Sequence, residues 1–164
     1  MLRDKNLIPL SHQHQRALAL CVRVDRAQPI PAPNMEAWQA EIGQLFEQEI
    51  KLHFAAEENV LFPAARRFRE LIPLVEELTS EHVRLREEFS EAESRLMSPK
   101  SLPAFAQQLA AHIRKEERQL FESLQHLMSG PELKALGVQL EDGLKDASQS
   151  CLLPSQTTRL KTTR

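Results

Sequence analysis

Two stretches of this chain repeat the same donors at the same spacing. His53-Phe54-Ala55-Ala56-Glu57-Glu58-Asn59-Val60-Leu61-Phe62 and His112-Ile113-Arg114-Lys115-Glu116-Glu117-Arg118-Gln119-Leu120-Phe121 both read H-x-x-x-E-E-x-x-L-F. On a helix, residues four apart lie about 40° apart around the axis and one turn along it. Each stretch therefore aims an imidazole and a carboxylate the same way. Two such pairs on facing helices would supply nitrogen and oxygen donors to a pair of metal ions.

The elements that must position them are helices, because apolar residues recur every three or four positions over most of the chain. The spacing predicts a first helix from about Ser11 to Arg26, with Ser11 as its cap, ended by Pro29, Pro31 and Pro33. A second helix, capped by Asn34, is expected from about Met35 to Phe62; Pro63 kinks or ends it, and residues 64–70 carry it on briefly. Pro73 suits the first turn of a third helix that reaches about Met97. A fourth helix runs from about Leu102 to Met128, where Ser129-Gly130-Pro131 stops it. Short connections imply antiparallel neighbours, so the expected fold is all-α, an up-down-up-down four-helix bundle over residues 1–130. Residues 131–164 are expected to add a short, weaker C-terminal helix from Glu132 to Lys145, docked on the outside, and a flexible tail from Gln149.

The inward stripes carry the donors with them. They read Leu10, His14, Ala17, Cys21, Val24 on helix one and Ile42, Phe46, Ile50, His53, Glu57, Val60 on helix two. Helix three gives Leu74, Leu78, His82, Leu85, Phe89, and helix four Phe105, Leu109, His112, Glu116, Leu120, Leu124, Leu127. A bare carboxylate or unpaired imidazole in such an interior is costly. Metal ions need these donors and neutralise the acids. Antiparallel packing would bring all six toward one end of the bundle. The chain is also internally duplicated: Leu10-Ser11-His12-Gln13-His14 and Leu78-Thr79-Ser80-Glu81-His82 share L-[ST]-x-x-H, so each half supplies one histidine and then one H-x-x-x-E pair. Structural zinc needs four donors and usually includes cysteine. Six donors favour two ions; with both glutamates and one oxo or hydroxo group bridging, about ten bonds are made of roughly twelve, leaving room for a small ligand.

Other candidates fit less well. His12 points about 200° away from His14 and is read as solvated. His126 shares the His112 face but lies about 21 Å along the helix. Glu58 and Glu117 stand about 100° off the inward acids and are read as surface groups or as partners of the ligands. Cys21 is a core position and Cys151 a tail thiol; they form no CxxC, and no disulfide is expected. The formal net charge of −2 favours neither nucleic acid nor an anionic membrane. No run of about 18 apolar residues occurs, and Met1-Leu2-Arg3-Asp4-Lys5 lacks the apolar stretch of a signal peptide, so a cytoplasmic protein is expected.

On these motifs the chain resembles the hemerythrin-like family, also called the HHE cation-binding domain, over roughly residues 8–128. The resemblance implies a four-helix bundle around a non-haem di-iron centre. It places the ligands at His14, His53, Glu57, His82, His112 and Glu116, with both glutamates bridging two iron ions; manganese and zinc also suit such donors. Oxygen-carrying hemerythrins have a second histidine one turn after the helix-three ligand, where this chain has Arg86. They also place an aspartate five residues after the helix-four histidine, whereas Glu116 follows His112 by four. The chain thus looks like the six-ligand members linked to iron, oxygen or nitric-oxide sensing and to stress protection rather than to oxygen storage.

Three functions compete. The preferred one is a di-iron protein that senses or handles dioxygen, nitric oxide, peroxide or iron, a binding protein rather than an enzyme. The second is a di-iron enzyme with peroxidase-like or oxygen-activating activity. Against it, the inward stripes carry no E-x-x-H of the ferritin type, and the chain has no tyrosine for a radical. The third is an interaction module stapled by metal, with the segment after Gly130 available to a protein partner.

Overall fold

A computed structural model describes residues 2–150, which form helices and short connections with no strand among the described residues. We number five helices: α1 (Ile8–Arg26), α2 (residues 35–65), α3 (Ile72–Glu93), α4 (residues 101–127) and α5 (Gly130–Ser150). Single 3-10 turns, Ala32–Asn34 and Arg69–Leu71, lead into α2 and α3. The expected tail lies outside the described residues from 151 onward, with Cys151, while Gln149 and Ser150 close α5.

Several boundaries differ from the expectation for local reasons. α1 starts at Ile8, because Pro9 fits a first turn that lacks N–H partners anyway. Ser11 is therefore inside the helix rather than its cap, and its hydroxyl donates to Glu117 Oε1 at 2.7 Å. Asn34 precedes α2 but makes no side-chain capping bond. α3 ends at Glu93, short of Met97, because Arg95 turns into the left-handed region at φ 61° and the Leu96 N–H returns to the Glu91 carbonyl at 2.8 Å. α5 is longer than expected and begins at Gly130 itself.

The main departure is inside α2 and α4. Three wide turns of the i→i+5 type interrupt them, at Phe46–Ile50, Glu57–Leu61 and Glu116–Leu120. The N–H groups of Phe62 and Phe121 reach back to the carbonyls of Glu57 and Glu116. Each such turn inserts about one residue and rotates the rest of its helix by roughly 100°. Phe62 and Phe121 thereby take inward positions and are buried, whereas Val60, expected inward, is half-buried. The same slip turns His126 off the His112 face and leaves it exposed. Pro63 falls just after a wide turn, where the regular ladder is already interrupted, so α2 continues to Ala65 instead of ending.

α1 packs along α4, the first part of α2 along α3, and α5 along the middle of α2. Two apolar cores result. One gathers Leu20, Trp38, Phe89, Leu102 and Phe105; the other gathers Leu10, Leu61, Phe62, Leu78 and Leu124. The leucine face of α5 (Leu133, Leu136, Leu140, Leu144) joins the second core. The donors expected near one end of the bundle thus form a polar slab between two cores. Gly137 lets α5 approach the segment before α1, since an added Cβ would lie 2.6 Å from Asn6 Cβ. Gly137→Ala should lower unfolding stability by about 1–3 kcal/mol, read by chemical denaturation, because a Cβ cannot swing aside as a side-chain end can. No helix among the described residues is long and apolar enough to cross a membrane.

Candidate metal centre

Six side chains from four helices meet in the slab: His14 from α1, His53 and Glu57 from α2, His82 from α3, His112 and Glu116 from α4. Each is at most 2 % exposed. They sort into two facing sets. His14 Nε2 and His53 Nε2 lie 2.9 Å apart, with Glu57 Oε1 at 3.1 Å from His53 and Glu116 Oε2 at 3.2 Å from His14. His82 Nε2 and His112 Nε2 lie 3.1 Å apart, with Glu57 Oε2 at 3.4 Å from His82 and Glu116 Oε1 at 3.3 Å from His112. Each glutamate thus turns one oxygen to each set.

An outer ring fixes the tautomers. His14 Nδ1–H donates to Glu117 Oε1 at 2.7 Å, and the Nδ1–H groups of His53, His82 and His112 donate to Gln13 Oε1, Glu58 Oε1 and Glu81 Oε2, each at 2.8 Å. An ionised carboxylate or an amide oxygen can only accept, so Nδ1 carries a proton in each ring and Nε2 is the nitrogen left facing inward. Glu58 and Glu117 are therefore partners of the histidines, one of the two roles expected for them. Phenylalanines close the slab: Phe54 stacks on His82 at 3.8 Å between ring centres, Phe62 tilts against it at 5.3 Å, and Phe121 stacks on His14 at 5.5 Å. The wide turns after Glu57 and Glu116 are what bring Phe62 and Phe121 there.

The electrostatics are those of a site that favours positive charge. Burial alone would lower the histidines, but Glu116 and Glu117 beside His14 raise it to about 9. Glu116 and Glu81 likewise overcome burial at His112 and raise it to about 10. Burial would push the acids up, yet the histidines hold Glu57 below the usual carboxylate range and Glu116 well below it. With Nδ1 committed outward, the second proton on His14 or His112 sits on Nε2, where it competes with any cation.

The donor chemistry fits a metal. Among the described residues, the buried side-chain polar atoms without a hydrogen-bond partner are both oxygens of Glu57, both of Glu116, and one of Glu88. His14, His53, Glu57 and Glu116 form one group whose ligand atoms lie within 4.8 Å of one another, and His82, His112 and Glu116 form another. Bonds of about 2.1 Å place neighbouring octahedral donors about 3 Å apart, close to the separations within each set. A family model described as hemerythrin HHE cation binding domain matches residues 9–124.

The chain belongs to the hemerythrin family. No curated protein and no solved structure matches it. A hemerythrin domain binds metal cations, and the buried His/Glu cluster is where this one would hold them.

Sequence reasoning missed Gln13 and Glu81, the outer partners of His53 and His112. Their signal was present, since both occupy the position before the lone histidine in the duplicated L-[ST]-x-x-H motif. Arg86 stays outside the slab, donating to Glu58 Oε1 at 2.8 Å, so it does not substitute for a ligand. His12 is exposed, as expected. Cys21 is buried in the first core, and burial pushes its thiol up to about 11, which makes it a poor nucleophile.

Proposed function

We propose that this hemerythrin-like chain binds two iron ions through His14, His53, Glu57, His82, His112 and Glu116, and senses or handles dioxygen, nitric oxide, peroxide or iron. The observation that carries the reading is the pairing of four inward Nε2 atoms with four unpartnered carboxylate oxygens in two facing sets. Mixed imidazole and carboxylate donors suit iron, with manganese and zinc as the alternative occupants. When bound, such a pair supplies redox change and free positions for a small ligand. Glu57 and Glu116 would bridge the ions, the outer ring would orient the imidazoles, and Phe54, Phe62 and Phe121 would exclude water.

In this reading residues 1–130 are an up-down-up-down bundle that holds the centre, and the segment after Gly130 covers it. Contacts of α1 with α4 and of α2 with α3 support the arrangement. The apolar face of α5 is spent on the bundle, which supports a covering role over partner docking. A binding or sensing role is favoured over catalysis, because the inward stripes carry no E-x-x-H of the ferritin type and the sequence has no tyrosine for a radical.

Metal analysis combined with visible spectroscopy, under anaerobic, aerobic and nitric-oxide conditions, tests this. We expect about two irons per chain and a spectrum that changes with the gas. One zinc per chain and a featureless spectrum would show a structural staple instead. Steady turnover of peroxide would move the assignment to an enzyme.

A further inference from the structure

Each half of the centre ends in a lone histidine, held by a glutamate that an arginine holds in turn. In one half Arg86 and His82 share Glu58 Oε1, both at 2.8 Å, and the Arg86 guanidinium lies 5.3 Å from the Phe54 ring centre. In the other half Arg3 donates to Glu117 Oε2 from Nη2 at 2.6 Å and from Nε at 3.1 Å, while Glu117 Oε1 accepts the hydrogen bond from His14 Nδ1–H. Arg3 lies 5.0 Å from the ring centre of Phe121, the ring that stacks on His14.

The two arginines sit on very different supports. Arg86 is within the 22-residue helix α3. Arg3 belongs to the strap that precedes α1. Leu7 anchors one end of the strap at 0 % exposure, whereas Leu2 at the other end is 93 % exposed. Polar bonds hold the stretch between them: Arg3 Nη1 and the Asp4 N–H both donate to Gln125 Oε1, and Gln125 Nε2 donates to the Leu2 carbonyl. A strap held by polar bonds, with little apolar burial between its ends, opens locally at far lower cost than the middle of a packed helix.

A second inequality falls on the same half. His53 leans on the neutral amide of Gln13, whereas His112 leans on the carboxylate of Glu81, itself paired with Lys115. A carboxylate partner makes an imidazole a stronger metal donor than an amide does.

We propose that the two metal positions are unequal: the His82/His112 half retains its ion, the His14/His53 half exchanges its ion, and the N-terminal strap latches that exchange through Arg3. Arg3 is a positioning residue, acting on His14 through Glu117. The inference rests on the dinuclear reading and adds an order and a gate to it. The strap precedes the family match, which starts at residue 9.

Full-length protein loaded anaerobically with ferrous iron and mixed with an excess of ferrous chelator tests the latch. We expect two release phases, one iron in each. Arg3→Ala should speed the fast phase up to about tenfold, the low end of the range for loss of a ligand's direct partner because Arg3 acts one bond further out, and leave the slow phase alone. Arg86→Ala should act on the slow phase, and Gln13→Glu should retard the fast one. Mössbauer spectra add a readout that general loosening would not move: Arg3→Ala shifts one iron doublet and Arg86→Ala the other. A single release phase, or an equal effect of Arg3→Ala on both phases, overturns the proposal. If Arg3→Ala does not fold, an unchanged fast phase in Gln13→Glu overturns it instead. Protein holding fewer than two irons before chelator is added defeats the dinuclear reading as well; two irons released together defeat the latch alone.

Discussion

Replacing Glu116 with glutamine is expected to lower metal affinity at least about a hundredfold and to leave fewer than two ions per chain. The carboxylate faces both sets at once, with Oε2 3.2 Å from His14 Nε2 and Oε1 3.3 Å from His112 Nε2. An amide keeps one oxygen and replaces the other with an N–H₂ donor. One set therefore loses a negative donor, and the other loses its share of the charge that attracts the cation. The effect should exceed that of Glu117→Gln, which removes only a partner of His14 and belongs to the 10–100-fold class. Without metal the variant should be less stable than the parent near neutral pH, because the folded state loses the charge that holds the raised protons on His14 and His112. Stoichiometry by metal analysis, with thermal unfolding in the presence and absence of metal, checks both parts. A ligand that binds only the folded state raises the unfolding temperature, so the parent should gain from metal and the variant should gain less. A variant that keeps two ions at unchanged affinity would remove Glu116 from the centre.

The second large effect is on pH dependence, and it should differ in sign between acid and alkali. In the metal-free protein His14 is raised from 6.5 to about 9 and His112 from 6.5 to about 10. The folded state therefore keeps protons that the unfolded chain releases above about pH 6.5. Their contribution to stability is complete below that pH and is lost as pH rises through 9 and 10. Glu57 and Glu116 are depressed below 4.5, so their contribution is present above that value and is lost in acid. Metal-free protein should thus be most stable between about pH 4.5 and 6.5. Bound cations replace the Nε2 protons, so the alkaline loss should vanish on loading, and loading near neutral pH should release about two protons. Urea unfolding from pH 5 to 10, with and without metal, and proton release in weak buffer measure this. Identical alkaline limbs would mean that the cations do not sit against His14 and His112.

Both outcomes depend on residues that were unequally legible in the chain itself. The six inward donors could be placed because helix period is a local property: His53 with Glu57 and His112 with Glu116 share a face whatever surrounds them. The duplication likewise showed that each half brings one lone histidine. The helix ends were less secure, since Pro9 and Arg95 acted through backbone detail that the apolar pattern does not carry.

What the sequence alone determined, then, is the all-helical class, the apolar stripes and the identity of the buried imidazoles and acids. Only the tertiary structure decided which groups hold those imidazoles. Gln13, Glu58, Glu81 and Glu117 each serve a histidine on a different helix, so their roles depend on how neighbouring helices slide past one another. The wide turns after Glu57 and Glu116 are also tertiary in origin: a one-residue slip leaves the composition and the average period unchanged, yet it rotates Phe62 and Phe121 onto the histidines and turns His126 out to solvent. Arg3 is the extreme case, because 114 residues separate it from Glu117, and no helical period links the segment before α1 to a position on α4.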